Sequence, residues 1–141
     1  MAEKQVNIGI KRIKEIACVI NEDILRDENT EINLTFGLTT NFDVSQKTTE
    51  IVLTAVFSKK DTGETMVEIK TSNVFTILEL EDFYNKDHSF SLPENILVTL
   101  LSLSVTHTRA LLAKNTQGTV YAELYIPIVN PTLLLQGLAG K

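Results

Sequence analysis

Cys18 is the only cysteine in a chain of 141 residues. A lone thiol excludes an internal disulfide framework and favours a reducing compartment. Histidine is nearly as scarce: His88 and His107 are the two, so a metal site would have to gather scattered ligands with no recognisable spacing. Neither GxGxxG nor GxxxxGK[ST] occurs, which leaves nucleotide binding without a motif. Positive charge is outnumbered, 13 Lys and Arg against 18 Asp and Glu, for a net charge of −5. An acidic chain has no sequence-independent attraction to phosphate backbones, so nucleic acid is not expected as a partner. The opening "MAEKQVNIGIKRIKE" lacks the long apolar run of a signal peptide, and no repeat, linker or low-complexity tract follows. These absences predict a cytoplasmic protein without cofactor or metal.

What is present is an ordinary globular composition. With 43% apolar and 22% charged residues the chain reads as one domain over 1–141, able to build a core without disulfide or metal staples. The greasiest segment is "PENILVTLLSLSVTHTRALLAKNTQGT", residues 93–119, where Arg109 is the single full charge between Glu94 and Lys114. It is long enough to cross a bilayer. However, Thr99, Ser102, Ser104, Thr106, His107, Thr108 and Arg109 interrupt it, and Arg at mid-membrane costs about 2.5–3.5 kcal/mol. A membrane span is therefore not expected. Ser91 with Glu94 matches a capping box and Pro93 suits the first turn, so a helix is predicted to start there and to end at Asn115 and Gly118. Ile96, Leu100, Leu103, His107 and Ala110 or Leu111 form one stripe; Leu97, Leu101, Val105 and Leu112 form a second. One covered face needs one stripe, so two imply cover on more than one side.

Alternation predicts strands elsewhere. Ile32, Leu34, Phe36 and Leu38 share one face of "EINLTFGLT", and Ile51, Leu53, Ala55 and Phe57 share one face of "EIVLTAVFS". "KKDTGE" is a turn around Gly63. "TMVEIKTSNVFTILEL" reads as a third strand running into a fourth short extended piece at 74–80. An antiparallel meander follows from strands joined by short turns. Residues 6–27 are ambiguous: Ile10, Ile13, Ala17, Ile20 and Ile24 recur at helical spacing, whereas Ile16, Cys18 and Ile20 alternate. After the long helix, "TVYAELYIPIVNP" reads as extended and a short terminal helix begins at Pro131.

Little of this carries chemistry. His107 in Thr-His-Thr-Arg lacks a nucleophile elbow and a partner carboxylate motif, and is read as a half-buried helix histidine. Arg109 is read as pairing with a carboxylate or capping carbonyls. Glu79, Glu81 and Asp82 form a solvated acidic run without a calcium-loop pattern. No enzyme is expected. What remains is surplus apolar surface: Phe36, Phe42, Phe57, Phe75, Ile77 and Phe83 on or beside a sheet, with the second helix stripe. Two readings explain it, a core plus a homo-oligomer interface, or an exposed groove for other chains.

The order of these elements resembles the SecB family of export chaperones over residues 10–138. The similarity rests on "VEIKTSNVFTI", on the helix closed by "TQGT", and on "LYIPIVNP" before a final helix. It implies an α+β fold: a four-stranded antiparallel sheet, a long helix packed on one face and a short C-terminal helix. It also implies that residues 10–26 hold the first strand rather than a helix, and that subunits assemble as a homo-tetramer, a dimer of dimers. Function would be that of an ATP-independent holdase for unfolded or precursor polypeptides, with export as the context; the alternative is an adaptor for one partner such as an antitoxin. The implied client groove is Phe36, Phe42, Phe57, Phe75, Ile77, Leu97 and Leu101. The implied oligomer interface is Ile16, Cys18, Ile20, Leu100, Leu103, His107 and Leu111. Glu15, Met66 and Glu68 match positions that dock the motor SecA, but Val19 stands where an acidic residue is expected and the sequence stops at Lys141, before the family's charged tail. Secretion coupling is thereby in question.

Overall fold

The structure, a computed structural model, describes residues 6–24, 30–85 and 91–139. Four strands, β1 (Ile8–Ile20), β2 (Ile32–Asp43), β3 (Thr48–Lys59) and β4 (Thr65–Ile77), form one antiparallel sheet in the order β1-β4-β3-β2. A 3₁₀ turn (Leu80–Phe83), the long helix α1 (Glu94–Thr116) and the short helix α2 (Pro131–Ala139) complete the chain. The expected α+β architecture is what the structure shows. Pro131 opens α2 as predicted, with Asn130 as its cap: Asn130 Oδ1 accepts from the N–H groups of Thr132 at 3.0 Å and Leu133 at 3.1 Å.

The hairpins follow from local chemistry. Between β2 and β3, Asp43 Oδ1 accepts from Ser45 Oγ and the Gln46 N–H, and Lys47 adopts a φ of 55° to close the loop. Between β3 and β4, Gly63 takes the positive φ of 76° that its turn requires. The predicted break at Val74 is absent. β4 continues to Ile77 because β3 and β1 flank it along its length and supply partners on both sides.

β1 settles the N-terminal ambiguity, and two β-bulges explain it. Its pairing with β4 shifts between Ile10 and Arg12 and again between Glu15 and Ala17. Each bulge adds one residue, so Ile8, Ile10, Ile13, Glu15, Cys18 and Ile20 all sit opposite the helix-facing residues of β4, from Ile77 to Val67. The bulges thereby bring Ile10, Ile13 and Ile20 of the apparent helical pattern to one face, while Ala17 pairs with Lys70 on the other. The helical pattern in the sequence is therefore a bulged strand.

Helix-side residues of β3 and β4 pack under α1. One cluster joins Leu53, Ala55, Phe57, Val67 and Ile69 to Leu101, Val105 and Leu112; another joins Ile51, Phe75 and Ile77 to Ile96 and Leu100. Along β4 the polar pair Thr71 and Asn73 falls between the two. Thr71 Oγ1 bonds Thr108 Oγ1 at 2.8 Å, and Asn73 Nδ2 donates to the Ile51 carbonyl and to Thr71 Oγ1. The buried stripe of α1 also includes Ser104, Thr108 and Thr116, whose hydroxyls donate to carbonyls four residues back. Every one of these polar groups has a partner, as burial demands.

The capping-box expectation is corrected. Pro93 itself is the N-cap, its carbonyl accepting from the Ile96 and Leu97 N–H groups, and no side chain caps the helix. Ser91 lies two residues too early and instead accepts from Asn85 Nδ2 at 2.7 Å. At the other end the helix runs to Thr116, within the stop predicted at Asn115 and Gly118, and Gly118 takes a positive φ of 79°. The two apolar stripes merge into one buried stripe that takes members from each, flanked by half-buried Leu97, Leu103 and Leu111. By length and composition α1 could cross a membrane, and 39% of its most apolar window is buried inside the fold. Residues 124–130 join no sheet.

Candidate functional site

The apolar surplus divides sharply between core and surface. Phe57, Phe75, Ile77 and Leu101, four members of the implied groove, are at most 2% exposed. Phe57, Phe75 and Ile77 lie on the sheet face that α1 covers and Leu101 on the buried side of α1, so they are core and no groove can be lined by them. Leu97 and Phe42 are half-buried against the cluster containing Phe75. Phe42 also borders a charged depression on the other side, with Lys11, Arg12, Asp43 and Glu50. Phe36 alone of the seven reaches an open apolar cleft among the described residues.

That cleft lies between β2 and α2. Leu34, Thr35 and Phe36 form one wall and Leu133, Leu134, Gly137 and Leu138 the other, around about 250 Å³. Sequence reasoning missed the α2 wall. The signal was there: "PTLLLQGLAG" carries no charge on any side, so its leucines cannot all be satisfied by one covered face. Leu133 is left 65% exposed.

β2 contributes more than side chains. It pairs with β3 only and is an edge of the sheet among the described residues. The Lys60 N–H donates to the Glu31 carbonyl at 2.9 Å, and the register runs on without a bulge. In an antiparallel ladder bonded pairs alternate, so Leu34 and Phe36 direct their N–H and C=O groups away from β3, to the open edge. The same two residues thus present apolar side chains to the cleft and free backbone groups to the edge.

The clasp that holds α2 in place is Arg109. Its Nε donates to the Ile126 carbonyl and its Nη2 to the Pro127 carbonyl, both at 2.8 Å, as expected of a carbonyl-capping arginine. Tyr121 Oη donates to the Asn21 carbonyl at 2.5 Å, tying the same segment to the end of β1.

Members of the implied interface fall into different environments. Leu100 is fully buried core, whereas Cys18, Ile20, Leu103 and Leu111 are half-buried against the chain's own clusters. His107 Nδ1 bonds Asn73 Oδ1 at 2.9 Å and the ring stacks on Phe75 at 6.4 Å; burial lowers its pKa from the usual 6.5. The Cys18 thiol is pushed up, first by burial and then by the charge of Glu15. Ile16 is exposed in its bulge. With Ile10, Ile13 and Val19 it makes β1 an edge with four large apolar side chains between 42% and 53% exposed.

The implied docking trio does not share a face. Glu15 lies on the helix side of β1 and accepts a hydrogen bond from Asn115 Nδ2 of α1. Met66 is the extra residue where β4 slips against β3, and it is fully buried in the core. Glu68 stands on the open face opposite Val19. Of the acidic run, Glu81 and Asp82 are exposed, while Glu79 takes two hydrogen bonds from Asn7. His88 lies outside the described residues, and among those described no three His, Cys, Asp or Glu side chains come together as a metal site.

The chain's antiparallel sheet ordered β1-β4-β3-β2, with one long helix across it and a short helix at the edge, is similar in fold to a solved SecB-like chaperone. The chain is similar to the SecB-like chaperone of Mycobacterium tuberculosis solved in complex with a ChAD peptide from the HigA1 antitoxin. The TM-score is 0.60 with 10% identity, over 86% of this chain and 90% of that one. At that identity the likeness is one of fold. A Streptococcus agalactiae protein of unknown function aligns over 89% of this chain and 99% of its own at 17% identity, with a TM-score of only 0.32. No protein-family model and no curated protein matches the sequence.

Proposed function

We propose that this chain is a non-enzymatic, ATP-independent chaperone of SecB type, which holds unfolded polypeptide segments extended in the cleft between β2 and α2. The observation that carries the reading is the coincidence of an apolar cleft with an open strand edge at Leu34 and Phe36. An extended client can add main-chain hydrogen bonds to such an edge while alternate side chains enter the cleft. Affinity then comes from features every unfolded chain shares. Binding the unfolded state alone shifts the folding balance without nucleotide. A net charge of −5 favours basic, apolar clients. The antitoxin peptide held by the structurally similar chaperone supports a polypeptide as the occupant.

The reading includes assembly as a homo-tetramer in the cytoplasm. Its support is the β1 edge, whose four exposed aliphatic side chains and unpaired backbone are an aggregation hazard unless another copy covers them. An export role through SecA would need a different residue set, since Glu15, Met66 and Glu68 are dispersed. The test is light scattering of a chemically unfolded protein diluted into buffer with this chain in excess and no nucleotide. Suppressed aggregation is expected; undiminished aggregation sinks the proposal.

The same neighbour favours a second reading, an adaptor committed to one partner such as an antitoxin. Capture of a single folded or tethered partner, with no affinity for denatured proteins in general, would select it.

A further inference from the structure

Gly137 sits in the last turn of α2, a helix of nine residues. Glycine inside a helix costs about 1 kcal/mol relative to alanine, a heavy charge on so short an element. Neither a positive φ nor a close approach of a described neighbour explains it. Among the described glycines only Gly63 and Gly118 have positive φ, so the backbone at Gly137 does not require a glycine. A Cβ built on Gly137 would meet no atom within 4 Å, so no neighbouring segment approaches too closely. What the position borders is the cleft, whose other wall is Leu34 and Phe36, with Leu133, Leu134 and Leu138 beside it on α2.

We infer that Gly137 is a specificity-determining residue: its missing side chain leaves room for one bulky apolar side chain of a client strand lying along the β2 edge. The inference rests on the holdase reading above and sharpens it from any apolar segment to one carrying a large aliphatic or aromatic residue at the Gly137 position. A leucine there would start from a Cβ that meets no atom within 4 Å and extend its side chain from the cleft wall that faces Phe36. Clients with Phe or Leu would lose their seat, while clients with Ala would lose little.

The test uses the full chain and labelled peptides of one basic, polar background carrying a single Phe, Leu, Val or Ala, titrated by fluorescence anisotropy. The wild type is expected to bind the Phe and Leu peptides about tenfold or more tighter than the Ala peptide, the scale on which apolar pockets discriminate. Gly137→Leu is expected to abolish that preference, and Gly137→Ala to reduce it while raising the thermal midpoint through better helix propensity. Should Gly137→Leu fail to fold, Gly137→Ala decides. If the wild type shows the preference and the folded variants keep it in full, the inference is overturned and the holdase reading stands. If the wild type binds none of the peptides but still suppresses aggregation, the inference falls and the clients are held elsewhere. If it does neither, both fall together.

Discussion

Asn73 and His107 hold one another in a single orientation. Asn73 Nδ2 already donates to the Ile51 carbonyl and to Thr71 Oγ1, so its Oδ1 is committed to accepting, and His107 Nδ1 at 2.9 Å must donate. The neutral ring, protonated at Nδ1 and stacked on Phe75, meets these constraints with one nitrogen left over. Burial disfavours a second proton there, which lowers the histidine pKa below its ordinary 6.5.

Stability should therefore depend on pH in a defined window. Because the folded-state pKa is depressed, the unfolded chain binds the proton more readily. The His107 contribution is complete above about pH 6.5 and is lost progressively as pH falls through that value towards the folded pKa. Urea midpoints between pH 8 and pH 5 should fall more steeply for the wild type than for His107→Gln. Parallel curves would remove His107 as the cause.

Core and cleft phenylalanines should separate cleanly in mutation. Phe57→Ala removes a buried side chain from the cluster under α1 and is expected to cost about 3–5 kcal/mol. Phe36→Ser, on the half-open cleft wall, should leave most of the stability intact and lose client binding. Denaturant unfolding paired with aggregation suppression reads both. A Phe36→Ser protein with full holdase activity would move the client site elsewhere.

Arg109→Ala should release the segment before α2. Two charge-assisted hydrogen bonds to the Ile126 and Pro127 carbonyls are lost, at about 1.5–3 kcal/mol each at most, less what water recovers. Hydrogen exchange is expected to speed up over residues 124–139 before it does in β3 or β4. Arg109→Lys should recover only part of the protection, because an ammonium cannot span both carbonyls as a planar fork does.

Ile13→Lys places a charge in the middle of the exposed β1 edge, where it touches no core cluster. Little change in monomer stability is expected, together with a lower solution mass by multi-angle light scattering. An unchanged mass would show that β1 is not where copies meet.

The strands β2 and β3 and the helix α1 were legible because each has one face against a core, and burial on one face writes a period of two or 3.6 into the sequence. The resemblance identified β1 where periodicity misled. Its two bulges reset the alternation, so the apolar residues Ile10, Ile13, Cys18 and Ile20 lie on one face at spacings no regular strand has. Ser91 shows the same limit at smaller scale: its spacing to Glu94 was right for a cap, but the chain entered the helix at Pro93.

Composition and pattern by themselves determined that this acidic chain carries alternating strands and one greasy helix, with no sequence motif for nucleotide or metal chemistry. They could not decide which greasy residues are surface. Phe36, Phe57 and Phe75 look alike in sequence, since each is an aromatic residue on the same face of a strand. Tertiary structure separates them: α1 crosses β3 and β4 and seals Phe57 and Phe75, while β2 at the edge is left to the short α2, which covers Phe36 only in part. Sheet order made that choice. An edge strand keeps one side of its backbone unpaired and its side chains half covered, and both conditions arise only once β1 has taken its place beside β4 at the far edge.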